Sequence, residues 1–162
     1  MGLRKKIARL VFSLRRSKPV AVTSRGIELR IPSDPAFLRL LRNTIASLCA
    51  LAGFCRRDSS KIVLAVDEAC TNVIRHAYNS QTGKPIFITC EIQTENLVIT
   101  IVDLGEPADL RSIKSRPLHD IRPGGLGVYI IRSVMDEVRY ENLADIGNRV
   151  VMCKHLPLLK GS

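Results

Sequence analysis

The sequence predicts an α/β fold of two layers, an antiparallel or mixed sheet with helices on one face. Three observations predict it. Two adjacent β-type runs, 86–93 and 97–103, form a hairpin pattern in the middle of the chain. Two long helical patterns precede that hairpin. A glycine-led helix and two closing strands follow it.

The elements can be justified in order. Residues 20–31 (VAVTSRGIELRI) alternate loosely and read as a strand, or as a hairpin around Arg25-Gly26. Ser33-Asp34-Pro35 supplies a capping side chain and a first-turn proline, so a helix is expected from there to Gly53, a C-terminal cap. Its apolar positions are Phe37, Leu40, Leu41, Ile45 and Leu48. Its exposed positions, Arg39, Arg42 and Asn43, form a cationic patch suited to an acidic partner. Asp58-Ser59-Ser60 opens a second helix that ends near Asn79-Ser80. Gln81 to Pro85 is a turn, and Thr94-Glu95-Asn96 joins the two hairpin strands. Residues 104–125 are rich in Gly, Pro, Arg and Lys and lack periodicity, which suits a functional lid, with a short helix around Ala108 to Lys114. Leu126 to Met135 reads as a helix. Val138 to Asn142 and Arg149 to His155 are the closing strands, turned at Asp145-Ile146-Gly147-Asn148.

At 162 residues the chain suits one domain with a single core, here residues 20–157, between a basic arm (1–19) and a frayed tail (158–162). No apolar run approaches the roughly 18 residues of a membrane span, and no secretory signal core is found, so a cytoplasmic protein is expected. The five cysteines (Cys49, Cys55, Cys70, Cys90 and Cys153) include no CxxC pair and lie in apolar or periodic segments, the usage of reduced, mostly buried thiols. Net charge is +10, and Arg4, Lys5, Lys6, Arg9, Arg15, Arg16 and Lys18 contribute seven of it, leaving +3 for the rest. With 4% aromatics and no nucleic-acid motif outside the arm, the reading is against nucleic-acid or membrane contact there.

The chemistry begins in the second helix, at Lys61 to Tyr78. At about 100° per residue, Ile62, Val66, Ala69, Val73 and Ala77 share one face. Glu68, Asn72 and His76, at i, i+4 and i+8, project from the other. A solvated amphipathic helix could carry such a face, but two glycine segments downstream weigh against that. Asp103 stands at a strand end, where its carboxylate can accept from an exocyclic amine such as adenine's, and Gly105 lets backbone approach the base. Gly124, Gly125 and Gly127 lead into a helix whose free N–H groups suit phosphate. Asn72 can give Mg²⁺ an oxygen ligand, and Glu68 can take a proton from an attacking hydroxyl or water. The glycines match neither a Walker loop nor a Rossmann fingerprint.

In that order and spacing the motifs resemble a known family. Glu68-Ala-Cys-Thr-Asn72 is similar to the N box of the GHKL ATPase superfamily, Asp103-Leu-Gly105 to its G1 box and Gly125-Leu-Gly127 to its G2 box. DEACTNVIRHAY, DLGEPADL and GGLGVYIIRSVMDEVRYE are closer still to the anti-sigma-factor serine kinases of the RsbW/SpoIIAB type, over roughly Ile31 to Leu156. Arg75 stands where many relatives have a small or apolar residue, DLGEP lacks a second glycine, and the arm lies outside the family core.

The resemblance implies a Bergerat-type sandwich that binds ATP and Mg²⁺. It implies Asn72 as the Mg²⁺ ligand, Glu68 as catalytic base, Asp103 and Gly105 at adenine, Gly125 and Gly127 at the phosphates, and His76 lining the site. The implied function is a bacterial serine/threonine protein kinase and anti-sigma factor. It would phosphorylate a STAS-domain anti-anti-sigma protein, sequester a sigma factor and work as a homodimer. The alternative is an ATP-binding partner-switch module without kinase activity.

Overall fold

A computed structural model describes residues 25–108, 126–144 and 146–158. Among the described residues five strands form one antiparallel sheet: β1 Arg25–Pro32, β2 Pro85–Ile92, β3 Asn96–Asp103, β4 Glu137–Asn142 and β5 Asn148–His155. Their order across the sheet is β1-β2-β3-β5-β4, so the last hairpin is added beside β3 with its second strand inward and β4 at the edge. Of the expected antiparallel or mixed sheet, the antiparallel form is found. Residues 25–32 form a single strand with no turn at Arg25-Gly26, and residues 20–24 lie outside the described residues.

Among the described residues three α-helices form the second layer: α1 Leu38–Leu51, α2 Arg56–Asn72 and α3 Leu126–Val134. The first helix starts later than Pro35, because Pro35–Phe37 form a 3-10 turn capped by the Asp34 side chain, which accepts from Ala36 N–H at 2.9 Å. Ser33 does not share in that cap. It is buried, with Oγ donating to Gln81 O at 2.6 Å and accepting from Lys84 N–H at 3.0 Å. Leu40, expected to be apolar core, is 61% exposed, while Leu41, Ile45 and Leu48 are buried. Arg42 donates to Asp67 on α2 at 2.7 Å, so one of the two cations of the proposed α1 patch already has an acidic partner.

Alternation sets the covered face of the sheet. Ile86, Ile88 and Cys90 of β2 pair in register with residues of β3 that include Ile99 and Ile101, and those pair with Met152 and Val150 of β5. These residues are buried with Leu41, Ile45, Ile62, Val66, Ala69 and Ile131 of the helices. The period-2 face of the sheet thus meets the apolar stripes of the helices in one core. Cys49, Cys70 and Cys90 are buried, and Cys153 partly so. Cys55 differs from expectation: it is exposed at the start of α2, where its thiol donates to Asp58. No helix among the described residues is long and apolar enough to cross a membrane. The basic arm, the short helix expected around residues 108–114 beyond Ala108, and residues 159–162 lie outside the described residues.

Candidate functional site

Glu68 and Asn72 sit one turn apart near the end of α2, both partly buried, while Ala65, Val66, Ala69 and Cys70 fill the core side. Gly127, second residue of α3, lies directly over them. A Cβ on it would stand 2.8 Å from Glu68 Oε2 and 3.4 Å from each of Asn72 Oδ1 and Nδ2. With the Glu68 carboxylate where it stands, glycine leaves α3 the room to approach the polar face of α2 this closely. An acid and an amide therefore meet the N-terminal end of a helix, whose dipole and unpaired N–H groups favour anions.

After Asn72 the helix widens. Val73–Ala77 form a π turn, in which Tyr78 N–H donates to Val73 O at 3.0 Å. Such turns often mark functional sites. The wider turn carries later side chains out of the 100° phase, and His76 is exposed along with Arg75. It also presents Ala77 O to the second motif. Glu106 N–H donates to that oxygen at 3.3 Å, and a Cβ on Gly105 would stand 2.7 Å from the Ala77 carbonyl carbon. Gly105 is thus required by close packing against Ala77, in the π turn that ends the second helix.

Asp103 is the last residue of β3 and is only 3% exposed. Its register partners are Ile86 and Asn148, and it shares the covered face with Ile99 and Ile101. A carboxylate in that position needs donors. Oδ1 accepts from Gly105 N–H at 2.8 Å and from Asn148 Nδ2 at 2.9 Å, and neither bond uses Oδ2. Burial pushes its pKa above the ordinary carboxylate range, and the Gly105 and Asn148 bonds draw it partly back.

Tyr78 holds the same turn from the helix side. Its hydroxyl donates to Pro85 O at 2.6 Å and accepts from Leu104 N–H at 2.8 Å. Burial pushes its phenol up to about 12, so it stays a neutral donor and acceptor. Beside this turn lies a cleft of about 360 Å³, bordered by Ala77, Tyr78, Lys84, Gly105, Glu106 and Gly147 among others, with neither Glu68 nor Asn72 in its lining.

Glu68, Asn72 and Gly127 are brought together, and Asp103 and Gly105 form a second group reached through Ala77 and Tyr78. Gly124 and Gly125 lie outside the described residues. Sequence reasoning passed over Asn148 and Tyr78. Asn148 ranked as a turn residue, and its role needs the knowledge that β5, not β4, lies beside β3. Tyr78 closes an apolar-looking helix end, where an aromatic residue reads as core.

Residues 31–154 match the model of the histidine kinase-like ATPase domain. Relatives named "Serine-protein kinase RsbW" align over 138 residues, 80% of this chain. That of Oceanobacillus iheyensis is 31% identical over 86% of its own length. That of Bacillus cereus is 30% identical over 84%, and that of Bacillus velezensis 28% over 85%. The chain belongs to the histidine kinase-like ATPase family, in the branch of the RsbW-type serine-protein kinases.

Proposed function

We propose that the protein is an ATP-dependent serine/threonine protein kinase and anti-sigma factor, acting on a STAS-domain antagonist and sequestering a sigma factor. The observation that carries this reading is the seat of Gly127 against Glu68 and Asn72, in a chain about 30% identical to serine-protein kinases. Those relatives favour a kinase over a switch module that binds ATP without phosphotransfer.

In this reading Asp103 accepts from the adenine amino group and Gly105 lets the base lie close. Gly124, Gly125 and Gly127 are the glycines assigned to the phosphates, and His76 borders the site. Among the described residues no three His, Cys, Asp or Glu side chains gather as a metal site. The donor set therefore suits Mg²⁺ brought in with phosphate oxygens and water, with Asn72 Oδ1 as the protein ligand. When bound, that ion neutralises phosphate charge. The serine or threonine hydroxyl oxygen attacks the γ-phosphorus, the bond to the β–γ bridging oxygen breaks, and ADP leaves. Glu68 accepts the hydroxyl proton. The working unit is residues 20–157, in a cytoplasmic homodimer.

The test is transfer of label from radiolabelled ATP to STAS proteins encoded nearby. Glu68→Gln is expected to slow transfer by roughly 10²–10⁴-fold while ATP still binds. Wild-type protein that labels no such partner would leave the switch-module reading in place.

A further inference from the structure

The side-chain amide of Asn148 makes three hydrogen bonds, and all of them leave the hairpin to which it belongs. Nδ2 donates to Asp103 Oδ1 at 2.9 Å and to Glu106 O at 2.8 Å. Its Oδ1 accepts from Ala108 N–H at 2.9 Å. The carbonyl of Ala108 is held in turn by Asn142 Nδ2 at 3.2 Å. A residue needed only to close the β4–β5 hairpin would bond within it. Asn148 instead joins a buried carboxylate to the backbone that follows it.

The consequence for Asp103 is orientational. The terminal torsion of an aspartate is soft and roughly two-fold, so a carboxylate needs more than one fixed donor to hold its plane. Gly105 N–H and Asn148 Nδ2 converge on Oδ1 without employing Oδ2, and the backbone N–H of Asn148 also favours the ionised carboxylate. An ionised carboxylate accepts and cannot donate. A fixed one takes the amino group at position 6 of adenine and opposes the keto oxygen that guanine has there.

We propose that Asn148 is a positioning residue of the nucleotide site, which fixes the Asp103 carboxylate for an aminopurine and couples its occupancy to the backbone of residues 106–108. This rests on the assignment of Asp103 to the base. Through Glu106 O and Ala108 N–H, any shift of the Asp103–Asn148 pair on binding is transmitted to the first residues of the segment that leads away from the sheet. Tyr78 grips the other side of the same turn and keeps Leu104 still, which directs the coupling toward residues 106–108.

The experiment uses the full chain, with calorimetric titrations of Mg·ATP and Mg·GTP, amide hydrogen exchange over residues 104–108, and thermal melts. Asn148→Ala removes all three bonds. Asn148→Asp keeps an acceptor for Ala108 N–H but loses both donations. Each is expected to weaken ATP at least about tenfold and to lower the ATP-over-GTP preference by a similar factor, with a cooperative melt. A merely structural role would lower both nucleotides alike or neither. If the variants fail to fold, wild-type protein still decides: ATP is expected to slow exchange at Glu106 and Ala108 more than GTP does. Equal protection by both, or unchanged affinity and preference in folded variants, would overturn the role of Asn148. Asp103→Asn separates the two levels. If it keeps ATP affinity, the assignment of Asp103 to the base fails. If it abolishes binding while Asn148→Ala keeps both affinity and preference, only the positioning role fails.

Discussion

Gly127 and Glu68 share one small volume: a methyl group on Gly127 would stand 2.8 Å from Glu68 Oε2, nearer than such atoms rest unless one moves. The carboxylate is the softer of the two, being the end of a flexible side chain. Gly127→Ala is therefore expected to fold and to displace Glu68 instead. Alanine is the better helix former by up to about 1 kcal/mol, so the melting temperature should hold or rise. Phosphotransfer should fall by roughly 10²-fold, the scale of an ångström misplacement at a reacting group. Single-turnover labelling beside a thermal melt checks both; a wild-type rate would separate Gly127 from the chemistry.

Much of this arrangement was legible in the sequence. Local periodicity marked both members of the β2–β3 hairpin, and the i, i+4 spacing of Glu68 and Asn72 survives because α2 is regular through Asn72. His76 is exposed, on the side of the chain away from the buried Val73 and Ile74. What no residue type announces is the π turn that begins at Val73. Leu40 misled because apolar character alone does not place a residue on the stripe: within α1 it stands about 100° from Leu41 and about 140° from Ile45, and it is exposed. Asn148 was illegible because its meaning lies in strand order. Consecutive strands usually pair, yet here β3 meets β5 and so brings Asn148 beside Asp103.

Tyr78 offers a second test of the turn between Asp103 and Gly105. It is 5% exposed, and its hydroxyl satisfies both Pro85 O and Leu104 N–H. Tyr78→Phe leaves two backbone groups without that partner. The expected loss of stability is about 1–3 kcal/mol, read by chemical denaturation. Hydrogen exchange should quicken at Leu104. A variant as stable as wild type would mean that water replaces the hydroxyl at no cost.

The α1 surface divides its two arginines. Arg42 is paired with Asp67 at 2.7 Å, on a side chain 43% exposed, so the pair itself is worth at most about 1 kcal/mol. What the pairing changes is availability. Arg39→Glu is expected to weaken binding of an acidic partner by more than about tenfold, since repulsion replaces attraction. Arg42→Glu should do less to the partner, and Asp67→Ala, which releases Arg42, should strengthen binding. Titration of the three variants against the cognate sigma factor decides. Equal losses for both arginine variants would mean that the pair with Asp67 opens on binding.

Asp103 ties stability to function with opposite signs. Burial holds its pKa above the ordinary 3.8, so the folded chain keeps that proton more tightly than the unfolded chain does. The resulting stabilisation is complete below 3.8 and is lost as the pH rises through the folded value; above it, the ionised group is a net cost to folding. Asp103→Asn removes the charge and keeps an oxygen for the Gly105 and Asn148 donors. The variant is therefore expected to match or exceed wild-type stability near pH 7–8, with the difference shrinking as the pH falls toward 4. ATP binding runs the other way, because only the carboxylate accepts from the amino group without also presenting a donor to it. Wild-type affinity should fall as acid protonates Asp103, and the variant should bind weakly at every pH. Thermal melts and ATP titrations across that range test both halves together. A variant that loses stability relative to wild type as the pH rises would show that the ionised carboxylate is stabilised by its donors more than it is penalised by burial.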